Sequence, residues 1–324
     1  MCTSLSVKIH REEKDYLLFG RNMDIEAHFG EQVVITPRAY PFRFRCLPVM
    51  ETHFAMIGTA FVKDGYPLYA DAMNQKGLCI AGLHFPGNAV YAPPCGFAEE
   101  SHRLAPFELI PYLLGTCATV AEVRTALREI ILSDIHFSHE LLNTPLHWHV
   151  AASDGGLILE STAEGLRMYD DLCGVLTNNP PYPFHVANLH RYEGLNSKIP
   201  LRRGEEPTPE GDTYDLGLGM VGLPGDYTSP ARFVRCATLR RLMDWSVSGE
   251  AAVSRFFAAL RAVAPPVGCV KTSEGDIHAT RYACCMDTEA LTYHVFAEGK
   301  LVPLSVTLTK ESCTGDRLLM EKSY

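Results

Sequence analysis

Apolar and polar residues alternate over residues 3–10, where Leu5, Val7 and Ile9 stand against Ser4, Ser6 and Lys8. A period of two predicts a strand. A charged turn, Arg11-Glu12-Glu13-Lys14, leads to a second strand over 16–20, and the two read as an antiparallel hairpin. Further strands are predicted over 32–36, 54–61, 67–73 and 78–85, the last two joined by the turn Asn74-Gln75-Lys76-Gly77. The period then becomes helical over 106–114 and 120–131, with Thr119 as N-cap and Glu122 completing a capping box. Strands resume over 147–152, 157–161, 166–169 and 174–176. Residues 178–226 are rich in Gly, Pro, Asn and Asp and read as long loops, which often carry function. Helices over 230–247 and 250–264 follow, then strands over 281–287, 291–297 and 301–307. Many antiparallel strands with helices in two blocks indicate a layered α+β fold. No internal repeat or linker divides the chain, so one domain over 1–324 is expected.

Composition narrows the function classes. A net charge of −9 without any basic block argues against a nucleic-acid partner; Arg202-Arg203 and Arg240-Arg241 are isolated pairs. No stretch approaches the roughly 18 apolar residues of a membrane span. The segment from Met1 to Lys14 has no apolar signal core, so a cytoplasmic location is expected. Eleven cysteines, an odd count, are then expected as free thiols.

Two motifs fail on context. Gly217-Leu218-Gly219-Met220-Val221-Gly222 fits G-x-G-x-x-G, but Gly211-Asp212-Thr213 before it and Leu223-Pro224-Gly225-Asp226 after it supply neither strand nor helix. His147-Trp148-His149 puts two imidazoles on one strand face without a third ligand nearby, so half-exposed histidines are expected rather than a metal site. No cofactor and no metal are predicted.

Cys2 is the position with chemistry. Loss of Met1 would place a thiol and a free α-amine on one residue. An α-amine with an ordinary pKa of about 7.7–8.0 is a usable base near neutrality, and a thiol ionises more readily beside positive charge. One residue would then supply nucleophile and base. Arg21 and Asp24 lie at the end of the second strand, which a hairpin returns to Cys2. They would point to opposite faces of a straight strand, so a bend after Gly20 is expected to bring them together. Otherwise they read as a surface ion pair.

Met1-Cys2-Thr3 and Phe19-Gly20-Arg21-Asn22-Met23-Asp24 resemble the start of the choloylglycine hydrolase family, which contains bile salt hydrolases and penicillin V acylases. The likeness continues through the segments 66–74, 77–78, 81–87, 146–148, 174–180, 222–226 and 229–233. It implies an N-terminal-nucleophile amidohydrolase with a four-layer αββα sandwich of antiparallel sheets, assembled as a homotetramer. It implies Cys2 as nucleophile, Asp24 holding the α-amine, and Arg21 beside the sulfur orienting Asp24. Asn178 would donate its side-chain amide to the oxyanion, and Arg232 would add positive charge. His84 stands where bile salt hydrolases usually carry Asn and penicillin V acylases Tyr; its backbone N–H can still serve the oxyanion, while substrate preference stays open. Phe184 departs from a Trp of some relatives. The implied substrate is a glycine- or taurine-conjugated bile acid, in an apolar pocket with Met23, Phe61, Ile135 and Phe137 as candidate walls. Those four would serve equally as plain core. Penicillin V or an N-acyl homoserine lactone is the alternative substrate, and a catalytically silent binder of amphipathic ligands the non-enzymatic one.

Overall fold

The computed structural model describes residues 1–10, 15–94, 102–198 and 216–321. Arg11 to Lys14, Arg202-Arg203 and Gly211-Asp212-Thr213 lie outside the described residues.

Two antiparallel sheets face each other. The first has six strands in the order β12-β1-β2-β13-β14-β15: Val175–Leu176, Cys2–Ile9, Tyr16–Ile25, Ala279–Asp287, Thr292–Ala297 and Leu304–Thr307. The second has eight, β11-β10-β9-β6-β5-β4-β3-β16: Gly165–Asp170, Gly155–Thr162, Leu146–Ala152, Cys79–His84, Tyr66–Asn74, Met56–Lys63, Gln32–Thr36 and Leu319–Glu321. Helices α4 (Ser229–Leu242) and α5 (Glu250–Arg261) cover the outer face of the first sheet. Helices α1 (Leu109–Thr116) and α2 (Val120–Ala126) cover the second, so the layers run α, β, β, α. A short parallel pair, β7 (Arg103–Leu104) and β8 (Ile131–Leu132), lies apart.

A four-layer stack buries both faces of its strands. On β1, Leu5, Val7 and Ile9 join the core that includes Phe233 and Cys236 of α4, yet Ser4 and Ser6 are buried as well. Their face meets the second sheet, where Ser4 Oγ lies 2.7 Å from His149 Nδ1. The two strand histidines are therefore fully buried, not half-exposed. His149 pairs with Asp171 at 3.0 Å and His147 with Glu160 at 3.2 Å. Burying an imidazole requires such partners.

Three expectations are corrected. Strand β2 runs on through Arg21 to Ile25 without a bend. Gly20 serves close packing instead: a Cβ there would lie 1.9 Å from the Cys284 carbonyl oxygen. Residues 178–226 are not all loop, since α3 (Tyr182–Leu189) forms with Pro in its first turn, where the missing N–H costs nothing. The helix expected over 120–131 ends at Ala126, and Ile131 already belongs to β8. The Thr119 cap is present, accepting from the Glu122 N–H at 3.2 Å, while the Glu122 carboxylate takes the Ala118 N–H. All ten described cysteines are free thiols.

Candidate active site

Strand pairing assembles the site. Cys2 pairs with Met23 and Ser4 with Arg21, so Cys2 and Arg21 project from one face two positions apart. Arg21 is fully buried and its Nη2 donates to Cys2 Sγ at 2.5 Å, while Nη1 donates to the Gly82 carbonyl at 2.5 Å. Burial opposes its charge, but Cys2, Tyr282 and Asp71 outweigh that and hold the guanidinium firmly protonated.

Arg232 comes from the first turn of α4. Its Nη1 donates to the Cys2 carbonyl and, at 2.6 Å, to Thr3 Oγ1; its Nη2 donates to Asn178 Oδ1 at 2.7 Å. Burial lowers its pKa, with Asp24 and Cys2 pulling the other way. Asn178 follows β12. Its Oδ1 also accepts the Cys2 N–H at 2.8 Å, and its Nδ2 donates to the His84 carbonyl at 2.8 Å. The start of α4 fixes its backbone, because the Asn178 N–H donates to Ser229 Oγ at 2.9 Å. His185 Nε2 lies 2.8 Å from the Asn178 carbonyl.

His84 ends β6. The Phe85 N–H donates to Pro145 at 2.8 Å, so the alternate His84 N–H turns away from β9. On that other edge β5 has already parted from β6, its last pair being Asp71 with Ala81. His84 lines the same cavity as Cys2, and its imidazole is held below its usual pKa by burial and by the nearby α-amine.

The α-amine of Met1 donates to the Asp24 carbonyl at 2.6 Å and touches His278 Nε2. The Asp24 N–H returns a bond to the Met1 carbonyl at 3.0 Å. Burial lowers the pKa of this amine; Cys2 and Asp24 raise it, and Arg232 and Arg21 lower it further. Asp24 accepts from Thr280 Oγ1 at 2.6 Å through Oδ1, and its buried Oδ2 has no protein partner. Arg21 and Asp24 lie on opposite faces of β2 and make no ion pair with each other. The expected orienting contact between them is not formed.

Cys2 is 2% exposed and borders a cavity of about 500 Å³. Met23, Phe61 and Phe137 line it, as do Leu68, Phe107, Ile110, Leu142 and Trp148. Ile135 is not among its walls. His84, Glu26 and His278 stand near the nucleophile, with His278 Nδ1 2.8 Å from Glu26 Oε1. His278 and Thr280 escaped the sequence reading, because only the pairing of β13 with β2 carries them to the N-terminus. The described residues hold no group of three metal-ligating side chains, and no described helix is long and apolar enough to cross a membrane.

A cysteine one residue from the N-terminus, set between two facing sheets among two guanidiniums and an amide, is the arrangement expected of an N-terminal-nucleophile hydrolase once Met1 is removed. Residues 2–313 match the model of linear amide C–N hydrolases, choloylglycine hydrolase family, and the chain belongs to that family. It is 40% identical over 295 residues to a bile salt hydrolase/transferase of Lactiplantibacillus plantarum, covering 91% of this chain and 88% of that protein. It is 34% identical to a bile salt hydrolase/transferase of Clostridium perfringens, covering 98% and 95%. A crystal structure of a mutant conjugated bile acid hydrolase from Clostridium perfringens superposes with a TM-score of 0.87 at 32% identity, covering 100% and 97%. Penicillin V acylase from Agrobacterium tumefaciens shares the fold with a TM-score of 0.76 at 18% identity, covering 99% and 91%.

Proposed function

We propose that this chain is a bile salt hydrolase, cleaving the amide that joins a bile acid to glycine or taurine. One observation carries the reading: the Arg21-bound Cys2 sulfur borders a roughly 500 Å³ apolar, aromatic cavity suited to a steroid acyl group. The relatives' names support the substrate class.

Removal of Met1 frees the Cys2 nitrogen as an amine. The thiol proton passes to that amine while sulfur attacks the scissile carbonyl. Asp24, with its unpartnered Oδ2, is suited to hold the resulting ammonium. The oxyanion is received by the second Asn178 Nδ2 hydrogen and the His84 N–H, fixed donors that stabilise charge as it develops. The amine returns its proton to the leaving nitrogen, the C–N bond breaks, and a thioester remains. Water, deprotonated by the same amine, then releases the bile acid and restores the thiol.

Amine release from glycine- and taurine-conjugated bile salts, against penicillin V and with a Cys2→Ser control, tests this. Turnover of bile conjugates that vanishes in the variant is expected. Negligible turnover of every bile conjugate would defeat the assignment, and full activity of Cys2→Ser would remove the nucleophile. The names of two relatives, hydrolase/transferase, support a second reading in which an amine intercepts the thioester in place of water. The same reading extends to one catalytic domain over 1–324 in a cytoplasmic homotetramer, which sedimentation and cell fractionation check.

A further inference from the structure

The interface between the two sheets is polar along one line. Side chains two apart on a strand share a face, and directly paired residues share it too. Arg21 pairs with Ser4 on one side and Cys284 on the other; Met23 pairs with Cys2 and Tyr282; Met286 pairs with Tyr293. Cys2, Arg21, Tyr282, Cys284 and Tyr293 therefore all look toward the eight-stranded sheet. There they meet Asp71 of β5, which is fully buried. Tyr282 donates to its Oδ2 at 2.5 Å, Tyr293 to its Oδ1 at 2.5 Å, and Cys284 Sγ to Oδ1 at 3.4 Å.

Arg21 has no carboxylate within ion-pair distance among the described residues. Its own bonds go to the Cys2 sulfur, the Met23 sulfur and the Gly82 and Asn22 carbonyls. A fully buried cation needs a compensating anion close by. Cys284, the cross-strand partner of Arg21, bonds Asp71, which brings that buried carboxylate beside the guanidinium's own position in the sheet. We propose that Asp71, clamped by Tyr282 and Tyr293, is a positioning residue that supplies the counter-charge of Arg21 and so sets how strongly that guanidinium stabilises the Cys2 thiolate. This rests on Cys2 as nucleophile.

Burial holds the Asp71 carboxyl above its usual range, and Arg21 with the three donors offsets that rise only in part. Three donors converging on two oxygens favour the charged form. The other charged or titratable groups around the sulfur are the α-amine on β1, Glu26 just after β2, His84 on β6, Arg232 on α4 and His278 before β13, with Asp24 on the opposite face of β2. Arg232 donates to Asn178 and the Cys2 carbonyl, whereas Arg21 donates to the Cys2 sulfur itself, so its field falls on the reacting atom.

The sign follows from Coulomb's law. Removing the anion leaves Arg21 uncompensated, favours the thiolate and moves its formation to lower pH. A thiolate formed at lower pH is also a weaker nucleophile. The test is the pH profile of Cys2 alkylation by iodoacetamide in the Met1-free protein, beside amine release from a bile conjugate. For Asp71→Asn the alkylation midpoint should fall by about one pH unit, the order expected for removal of one buried charge acting through a medium of effective dielectric about 20. In the same variant kcat should drop with KM little changed. Tyr293→Phe removes a donor that favours the charged carboxylate, so Asp71 is protonated more readily and the midpoint should shift the same way by less; it decides the matter if Asp71→Asn does not fold. An unmoved midpoint in the folded variant would mean Asp71 is neutral or merely structural, and an upward shift would mean it does not oppose Arg21. Either result overturns the proposal. Alkylation reads the thiol alone, so this outcome is separable from a failure of the bile-conjugate assignment.

Discussion

Gly20 and Cys284 touch backbone to backbone: a Cβ on Gly20 would meet the Cys284 carbonyl oxygen at 1.9 Å, with the next atoms also backbone. Nothing flexible can give way there, so the two strands must separate to admit a methyl group. The next residue is Arg21, whose grip on the Cys2 sulfur depends on that pairing. Gly20→Ala is expected to cost a few kcal/mol of stability, as overpacking of a tight core does, and to lower turnover at least tenfold. Chemical denaturation and amine-release kinetics check both; an unchanged denaturation midpoint would contradict the packing argument.

Asn178 holds three parts of the site together: the Cys2 nitrogen, the Arg232 guanidinium and the His84 carbonyl. Asn178→Ala removes the proposed oxyanion donor along with that framework. A loss of about 100-fold or more in kcat is expected, the usual effect of deleting one such donor, with a smaller change in KM. Steady-state kinetics on one conjugate decide it, and a pure KM effect would place Asn178 in substrate binding instead.

How far the sequence could be read depended on what kind of contact each residue makes. Alternation revealed most strands, but it implied one solvated face, whereas Ser4 and Ser6 are buried against a second sheet. A glycine reads as a place to bend; Gly20 sits in an unbroken strand because another backbone passes over it. Helix α3 hid in a segment whose prolines and asparagines signal turns, and its Pro181 and Pro183 flank the first helical residue, Tyr182. Cys2, Arg21 and Asp24 were legible from a local hairpin. Asn178 and Arg232 were reachable only through family resemblance, and His278, Thr280 and Asp71 not at all, because non-local pairing alone brings them in.

Glu108 supplies a pH test of stability. Its carboxylate accepts the Arg45 N–H at 2.6 Å and the Ala105 N–H at 3.0 Å, yet burial dominates and pushes its pKa up to about 7. Between its ordinary value near 4.5 and about 7, the folded chain keeps a proton that the unfolded chain has released. Stability therefore falls as pH rises through this window, by on the order of 3 kcal/mol in total, and the loss is complete above it. Glu108→Gln removes the titration. Its stability relative to the parent should improve from pH 4.5 to about 7 and level off above that, even if the amide sacrifices one of the two hydrogen bonds. Thermal unfolding of both proteins across that range checks it, and a stability difference independent of pH would refute the titration of Glu108.

The walls of the cavity divide the candidate substrate contacts. Phe137 lines it and is braced from behind, its ring 5.4 Å from Phe107 and 6.0 Å from Tyr66, with the Arg45 guanidinium 5.3 Å away. Such a rigid ring offers apolar area at little entropic cost. Ile135, two residues earlier, does not reach the cavity. Phe137→Ala should thus raise KM for bile conjugates by roughly tenfold or more, since burying an aromatic face contributes about 1.5–3 kcal/mol. Ile135→Ala should leave KM within about twofold. Comparable KM increases in both variants would mean that the substrate extends beyond this cavity toward Ile135. An effect from Ile135 alone would place the acyl group elsewhere.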